Sequence, residues 1–244
     1  MYLWKYPLSF ERQYQKQLSA LVNNMKKVVN NNKYKIKAYL EKYRIDNEES
    51  ELDNEIRNMI IEYELLIATD FIERKVAEMF DNINSYNANE FRKSLGVDMF
   101  ANEEFLNATK DLWVKENMQL ITSVKTQYFE RIENIISNAI RNGTTYAEVS
   151  EQIAKQTGLS LNRSRLIARD QIGTLNGQIT KQRQTSAGIT KYRWSTSKDE
   201  RVRPAHKVRE GKNFDWNKPP FDGHPGMAIS CRCVAIPIID NKVR

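Results

Sequence analysis

Thr190-Lys191-Tyr192-Arg193-Trp194-Ser195-Thr196 decides the fold class of this chain. Bulky or β-favouring residues alternate there with polar ones, the period of a half-buried strand. Arg232-Cys233-Val234-Ala235-Ile236 is a second stretch of strand character. Together they predict a small antiparallel sheet near the C-terminus. The residues before Thr190 carry helical spacing instead. The fold expected is therefore α+β and mostly α: long N-terminal helices followed by a small C-terminal antiparallel β element with a long stapled loop.

Moving outward toward the N-terminus, apolar residues recur every three or four positions. Ser9 can cap a first helix over 9–45, with Phe10, Tyr14, Leu18, Val22 and Met25 along one face and a weak point at Asn30-Asn31-Asn32. A second helix is predicted over 51–86, a break across Asn84–Asn89, and a short helix over 89–95 stopped by Gly96. The next spans 102–141 and ends at Gly143, placed for a left-handed cap. Thr145-Tyr146-Ala147-Glu148 has capping-box spacing and opens a helix to about Gln156, ended by Gly158. A last helix, 161–186, contains Gly173 and Gly177 and stops before Gly188.

Moving outward toward the C-terminus, the punctuation changes. Five of the six Pro, both Cys and both His fall at or after Pro204 in a chain of 244 residues. Charge is uneven as well: residues 1–50 carry net +5, 51–150 net −8 and 151–244 net +10. A basic C-terminal third points to a polyanion or an acidic protein surface as partner, or to an ordinary solvated face. No run approaches the ~18–20 apolar residues of a membrane span, and the N-terminus lacks a secretion signal's apolar core. Two Cys cannot build a disulfide framework, and a reducing compartment is the default. Glycine-rich phosphate loops of the P-loop and dinucleotide types are absent, which disfavours a nucleotide-driven motor or a nicotinamide enzyme.

Three constellations carry chemistry. His206, His224, Cys231 and Cys233 fall within 28 residues. Thiolate and imidazole suit a structural zinc site, although Cys-x-Cys is tighter than the usual Cys spacing. Buried thiols acting as small hydrophobes, with two loop histidines, fit the same residues. Asp199, Arg201, Arg203 and His206 form the second set. They suit an acid/base and phosphate clamp as in a metal-dependent nuclease. They equally suit a turn in which Asp199 bonds local N–H groups and the arginines hold neighbours or carbonyls. Without a second carboxylate cluster the turn is favoured. The third is the basic helix, with Arg163, Arg165, Arg169, Lys181 and Arg183. Phosphate contact through it would be sequence-independent and salt-sensitive.

From Trp113 to Pro237 these pieces resemble one family. The matching stretches are Trp113-Val114-Lys115-Glu116-Asn117 with Leu120-Ile121, then Ile167-Ala168-Arg169-Asp170-Gln171 with Asn176. Gly188 leading to Tyr192-Arg193-Trp194 follows, then Asp199-Glu200-Arg201-Val202-Arg203 with His206 and Gly211. His224-Pro225-Gly226 and Cys231-Arg232-Cys233 with Pro237 complete the order. In this the chain resembles the phage Mu F-like head morphogenesis, or minor head protein, family. That family usually has Glu where this chain has Asp170, and often a His-Pro-Asn-Cys-Arg-Cys run; here Met227-Ala228-Ile229-Ser230 intervene.

The resemblance implies a virion structural protein of a tailed phage or prophage, made in the host cytoplasm and lodged inside the capsid near the portal vertex. It implies help with head assembly and DNA packaging or delivery, and no enzymatic reaction. Its implied partners are portal protein, packaged double-stranded DNA contacted non-specifically, and capsid, scaffold or copies of itself. Trp194 and Arg232 join the motif residues on this basis. The domains expected are 1–100 for docking, 101–187 for the helical part of the Mu F-like domain, and 188–244 for the β/loop part with its zinc site. The alternative is a metal-dependent nuclease or toxin-like effector using Asp199, Arg201, Arg203 and His206. Some proteins with this kind of domain carry an extra C-terminal effector, for which Arg244, seven residues past Pro237, leaves no room.

Overall fold

Helix α1 covers Leu8–Asn31 and stops at the Asn run, as its composition predicts. Asn32 interrupts the helix. Its amide donates to the Val28 carbonyl at 2.9 Å and to Glu62 at 2.8 Å, the local competition that makes Asn a poor helix interior. Helix α2 resumes over Lys33–Lys42. This is a computed structural model, and it describes residues 4–42, 50–96 and 105–239. The expected helical positions 43–45 and 102–104 lie outside the described residues.

The helix expected over 51–86 is two helices, α3 (Ser50–Leu66) and α4 (Thr69–Leu95). The break falls at Ile67 and Ala68. The Asn84–Asn89 run, expected to break, stays helical inside α4. Its amides are satisfied sideways: Asn87 Nδ2 donates to Asn176 Oδ1 at 3.0 Å and to Thr180 Oγ1 at 2.7 Å. Arg183 donates to the side-chain oxygens of Asn84 and Asn87. Buried polar groups with partners no longer compete for their own backbone.

Helix α5 (Phe105–Asn142) ends at Gly143, whose φ is +65°. The capping box then forms: the Thr145 N–H donates to Glu148 Oε2 at 2.8 Å, and the Glu148 N–H to Thr145 Oγ1 at 3.4 Å. Helix α6 runs unbroken over Tyr146–Ser186, past the expected stop at Gly158 and the expected restart at Ser160. It buries Val149, Ala168, Ile172, Leu175 and Ile179. That burial outweighs the roughly 1 kcal/mol that a mid-helix glycine costs.

Strand β1 (Lys191–Ser195) follows, then the one-turn helix α7 (Pro204–Lys207), β2 (Asn213–Asp215) and β3 (Val234–Pro237). The sheet order is β2-β1-β3 and both pairings are antiparallel. Tyr192 faces Phe214 on one side and Pro237 on the other. The β1–β3 pairing is the one the sequence predicts. Strand β2 was hidden in the long loop, because three residues carry no readable period.

Contacts gather the chain into two units. One contains the described residues of Met1–Tyr14, Ala77–Lys115 and Leu166–Arg244; the other contains Gln15–Val76 and Glu116–Arg165. In the first, Trp4, Phe91, Val234 and Ile236 form one buried cluster. Tyr192, Trp194, Trp216, Cys231, Cys233 and Ala235 form another. In the second, Val22, Met25, Met59 and Ile132 are buried, Tyr63 meets Phe129 edge-on, and the Tyr128 hydroxyl bonds Thr157 at 3.1 Å. Among the described residues, no helix is long and apolar enough to cross a membrane.

Candidate metal centre and arginine cavity

The loop between β1 and β3 is tied to α6 by contacts that only glycine permits. A Cβ on Gly173 would lie 2.6 Å from the Cys231 carbonyl oxygen, and one on Gly177 2.6 Å from that of Pro225. Gly226, at φ +90°, lies against the same two positions. Gly173 and Gly177, inside the last helix, are docking points for the loop. Polar ties add to them. The Ser230 N–H donates to Asp170 Oδ1 at 2.8 Å, Gln184 Nε2 to the Ala235 carbonyl at 2.8 Å, and Trp216 Nε1 to Gln184 Oε1 at 2.9 Å.

This docking brings Cys231 and Cys233 to α7. His206 Nδ1 lies 3.6 Å from Cys231 Sγ and 3.4 Å from Cys233 Sγ. All three side chains are buried, and their ligand atoms lie within 4.8 Å of one another. Two ligands at zinc's usual distances to nitrogen and sulfur stand roughly 3.5 Å apart across a tetrahedron edge, so the spacing fits such an ion. The two cysteines precede β3; the strand expected from Arg232 begins at Val234.

The outer contacts fit as well. Asp222 Oδ2 is 3.0 Å from His206 Nε2, the carboxylate–imidazole arrangement that turns the other ring nitrogen toward a metal. Arg209 holds the second oxygen of Asp222. Burial opposes ionisation of Asp222, but hydrogen bonds from Arg209 and His206 win and keep its carboxyl below the ordinary range. The Cys231 thiol is pulled down to about 6, chiefly by the hydrogen bond from Cys233, which is itself pushed up by holding that proton. A zinc ion held by His206, Cys231 and Cys233 would supply a cross-link between α7 and the segment before β3, together with Lewis acidity. Three protein ligands leave a tetrahedral ion one position short.

His224 stands outside this set. Its Nδ1 shares a 2.8 Å hydrogen bond with the Tyr192 hydroxyl, and its ring packs on Trp216. Burial, with the nearby Lys181 charge, lowers its pKa, so it is neutral at pH 7.

The cluster opens on a cavity of about 200 Å³ lined by Arg169, Asp199, Arg201, Arg203, Ser230 and Arg232, among others. Arg201 pairs with Asp199 at 3.3 Å, and Asp199 accepts the Arg201 backbone N–H at 3.1 Å. Arg203 donates to the Ile229 carbonyl. These are the contacts expected of a turn, yet they border the metal cluster. Arg232 is held by both oxygens of Glu11, which is 1% exposed, and reaches Asp199 at 3.4 Å. Arg169 Nε lies 3.5 Å from Glu11. The other basic residues scatter. Arg183 is buried against Asn84 and Asn87, which puts it out of reach of a phosphate backbone. Arg163 donates to Ser123, while Arg165 and Lys181 are exposed. Trp194 is a core residue whose ring meets His206 edge-on. Asp222, Arg209 and Glu11 carried no sequence signal, since their partners lie in other segments.

The expectation that no enzymatic chemistry resides in this chain is corrected by the cluster itself. A buried His/Cys/Cys set able to coordinate a metal ion is a chemical capacity, and it adjoins charged side chains.

Comparison with known proteins points to phage structural proteins as a class. Residues 130–236, the span from late α5 to β3, match the family described as Phage Mu protein F like protein. The chain is 32% identical over 207 residues to an uncharacterized protein of Haemophilus influenzae, covering 83% of this chain and 43% of that protein. It is 29% identical over 153 residues to minor head protein GP7 of Bacillus phage SPP1, covering 53% and 49%. It is 25% identical over 127 residues to the NAD(+)–arginine ADP-ribosyltransferase EFV of Enterococcus faecalis, covering 46% and 26%. The chain thus spans less than half the length of the curated relatives it matches. No solved structure matches.

Proposed function

We propose that this chain is a head-morphogenesis protein of a tailed phage or prophage, carried inside the capsid near the portal vertex, where it assists head assembly and DNA packaging or delivery. The observation that carries this reading is the family match over 130–236. It spans the α6–β1 junction, the Cys pair and the loop docked on Gly173 and Gly177, and a minor head protein aligns over about half of the chain. The net charge of +7, concentrated in the C-terminal third, suits sequence-blind contact with DNA. Zinc bound by His206, Cys231 and Cys233 staples the β/loop region in this reading. Purified heads should yield the protein together with portal protein, and cryo-EM should place it at one vertex. An even distribution over the capsid would remove the portal assignment.

A second reading is favoured by the juxtaposition of Asp199, Arg201 and Arg203 with the metal cluster in one cavity. It is metal-dependent phosphodiester cleavage. Nicking of plasmid DNA that is lost on chelation and in His206→Ala would establish it. Intact plasmid after prolonged incubation with zinc-replete protein would reject it.

A further inference from the structure

We infer that the arginine cavity beside the metal cluster is a binding site for a phosphate-type oxyanion. This deepens the second reading by naming a ligand class, but it stands whether or not any bond is cleaved.

Charge comes first. Four arginines line the cavity (Arg169, Arg201, Arg203 and Arg232) against one lining carboxylate, Asp199. Even with Glu11 counted behind Arg232 and Arg169, the arginines outnumber the carboxylates. Arg203 spends its guanidinium on a neutral acceptor, the Ile229 carbonyl. Its charge is therefore available to an anion at little cost.

Unsatisfied donors come second. Ser230 lines the cavity, and its Oγ is buried with no hydrogen-bond partner. Arg169 Nε is likewise buried without a hydrogen bond, although Glu11 lies 3.5 Å away. Buried polar atoms nearly always have partners, so the unpartnered Ser230 hydroxyl beside a basic cavity is a donor still open to an acceptor. Ser230 is held in an unusual conformation, φ +56°, by the bond from its N–H to Asp170.

Size and shape come third. At about 200 Å³ the cavity falls below the roughly 300–1,000 Å³ of clefts that take drug-sized ligands, so it suits a small anion. Donors approach from α6 (Arg169), from the turn after β1 (Arg201, Arg203) and from the segment before β3 (Ser230). A tetrahedral oxyanion presents oxygens in all these directions, whereas a planar carboxylate presents two in one plane. Free phosphate and the phosphate of a nucleic-acid terminus share this chemistry.

The test is calorimetric titration of the full chain with inorganic phosphate, with acetate, and with a short oligonucleotide with and without a 5′-phosphate. Arg201→Gln and Arg203→Gln are the variants, both at exposed positions, and unchanged melting verifies their folds. Saturable phosphate binding, weakened about tenfold in each variant as expected for loss of a charge-assisted hydrogen bond, supports the site. Preference for the 5′-phosphorylated oligonucleotide identifies a nucleic-acid end as the source; binding of inorganic phosphate alone identifies the free anion. Absence of saturable phosphate binding, equal binding by the variants, or acetate binding as tightly as phosphate overturns the inference. None of those results bears on cleavage, which the plasmid assay reads separately.

Discussion

Glu11 and Arg232 are 221 positions apart in sequence, yet their side chains are paired and almost wholly buried. Neutralising Glu11 leaves the buried Arg232 with only its longer contact to Asp199, so Glu11→Gln should lower stability by about 3 kcal/mol at pH 7, read by chemical denaturation. The pH dependence has a definite sign. Burial alone would raise the Glu11 pKa, but the Arg232 hydrogen bonds outweigh it and hold the carboxyl below its ordinary value. The unfolded chain therefore takes up this proton first as pH falls. The stabilisation is complete above the ordinary value of about 4.3 and is lost as pH falls through the lowered one. The advantage over Glu11→Gln should shrink below pH 4; an advantage that persists undiminished to pH 2 would contradict this. At the metal cluster, Cys231→Ser and Cys233→Ser should each lose stoichiometric zinc by elemental analysis, while His224→Gln should keep it, because His224 belongs to Tyr192. Loss of zinc from the His224 variant would restore a four-residue ligand set.

Among the elements, α6 gives the sharpest contrast. Gly158→Ala meets nothing within 4 Å and should stabilise by about 0.5–1 kcal/mol, the usual gain for alanine over glycine inside a helix. Gly173→Ala drives a methyl group against the Cys231 carbonyl and should cost about 1–3 kcal/mol, because backbone, unlike a flexible side chain, cannot yield. Paired melting curves check both signs. Composition alone does not separate these glycines: both sit in a helical period, and the difference lies in a loop more than fifty residues away. Similar reasoning applies to α4. The Asn84–Asn89 run reads as a break because its hydrogen-bond partners, the acceptors Asn176 and Thr180 and the donor Arg183, lie on another helix. What was legible was local. The Gly143 stop, the Thr145–Glu148 box, the weak point before Asn32 and the β1 alternation each involve groups within a few residues of one another.

At the scale of the whole molecule, the excess of Lys and Arg should show as DNA binding whose affinity falls steeply and linearly on a log–log plot against salt, with no dependence on base sequence. A flat salt response, or strong preference among duplexes, would count against phosphate contact. The sequence made the clustering of His206, Cys231 and Cys233 visible, but not Asp222 behind them or the arginines around them, since folding alone joins those segments. The same joining has a consequence in time. Trp4 shares a buried cluster with Val234 and Ile236, and Glu11 waits for Arg232. During synthesis the N-terminal part of that unit leaves the ribosome long before its partners exist. The unit holding Gln15–Val76 and Glu116–Arg165 has all its residues once Arg165 has emerged, whereas the other acquires its closing strand only at Pro237. The first turn of α1 finds its permanent neighbours only once Arg232 and β3 have been made.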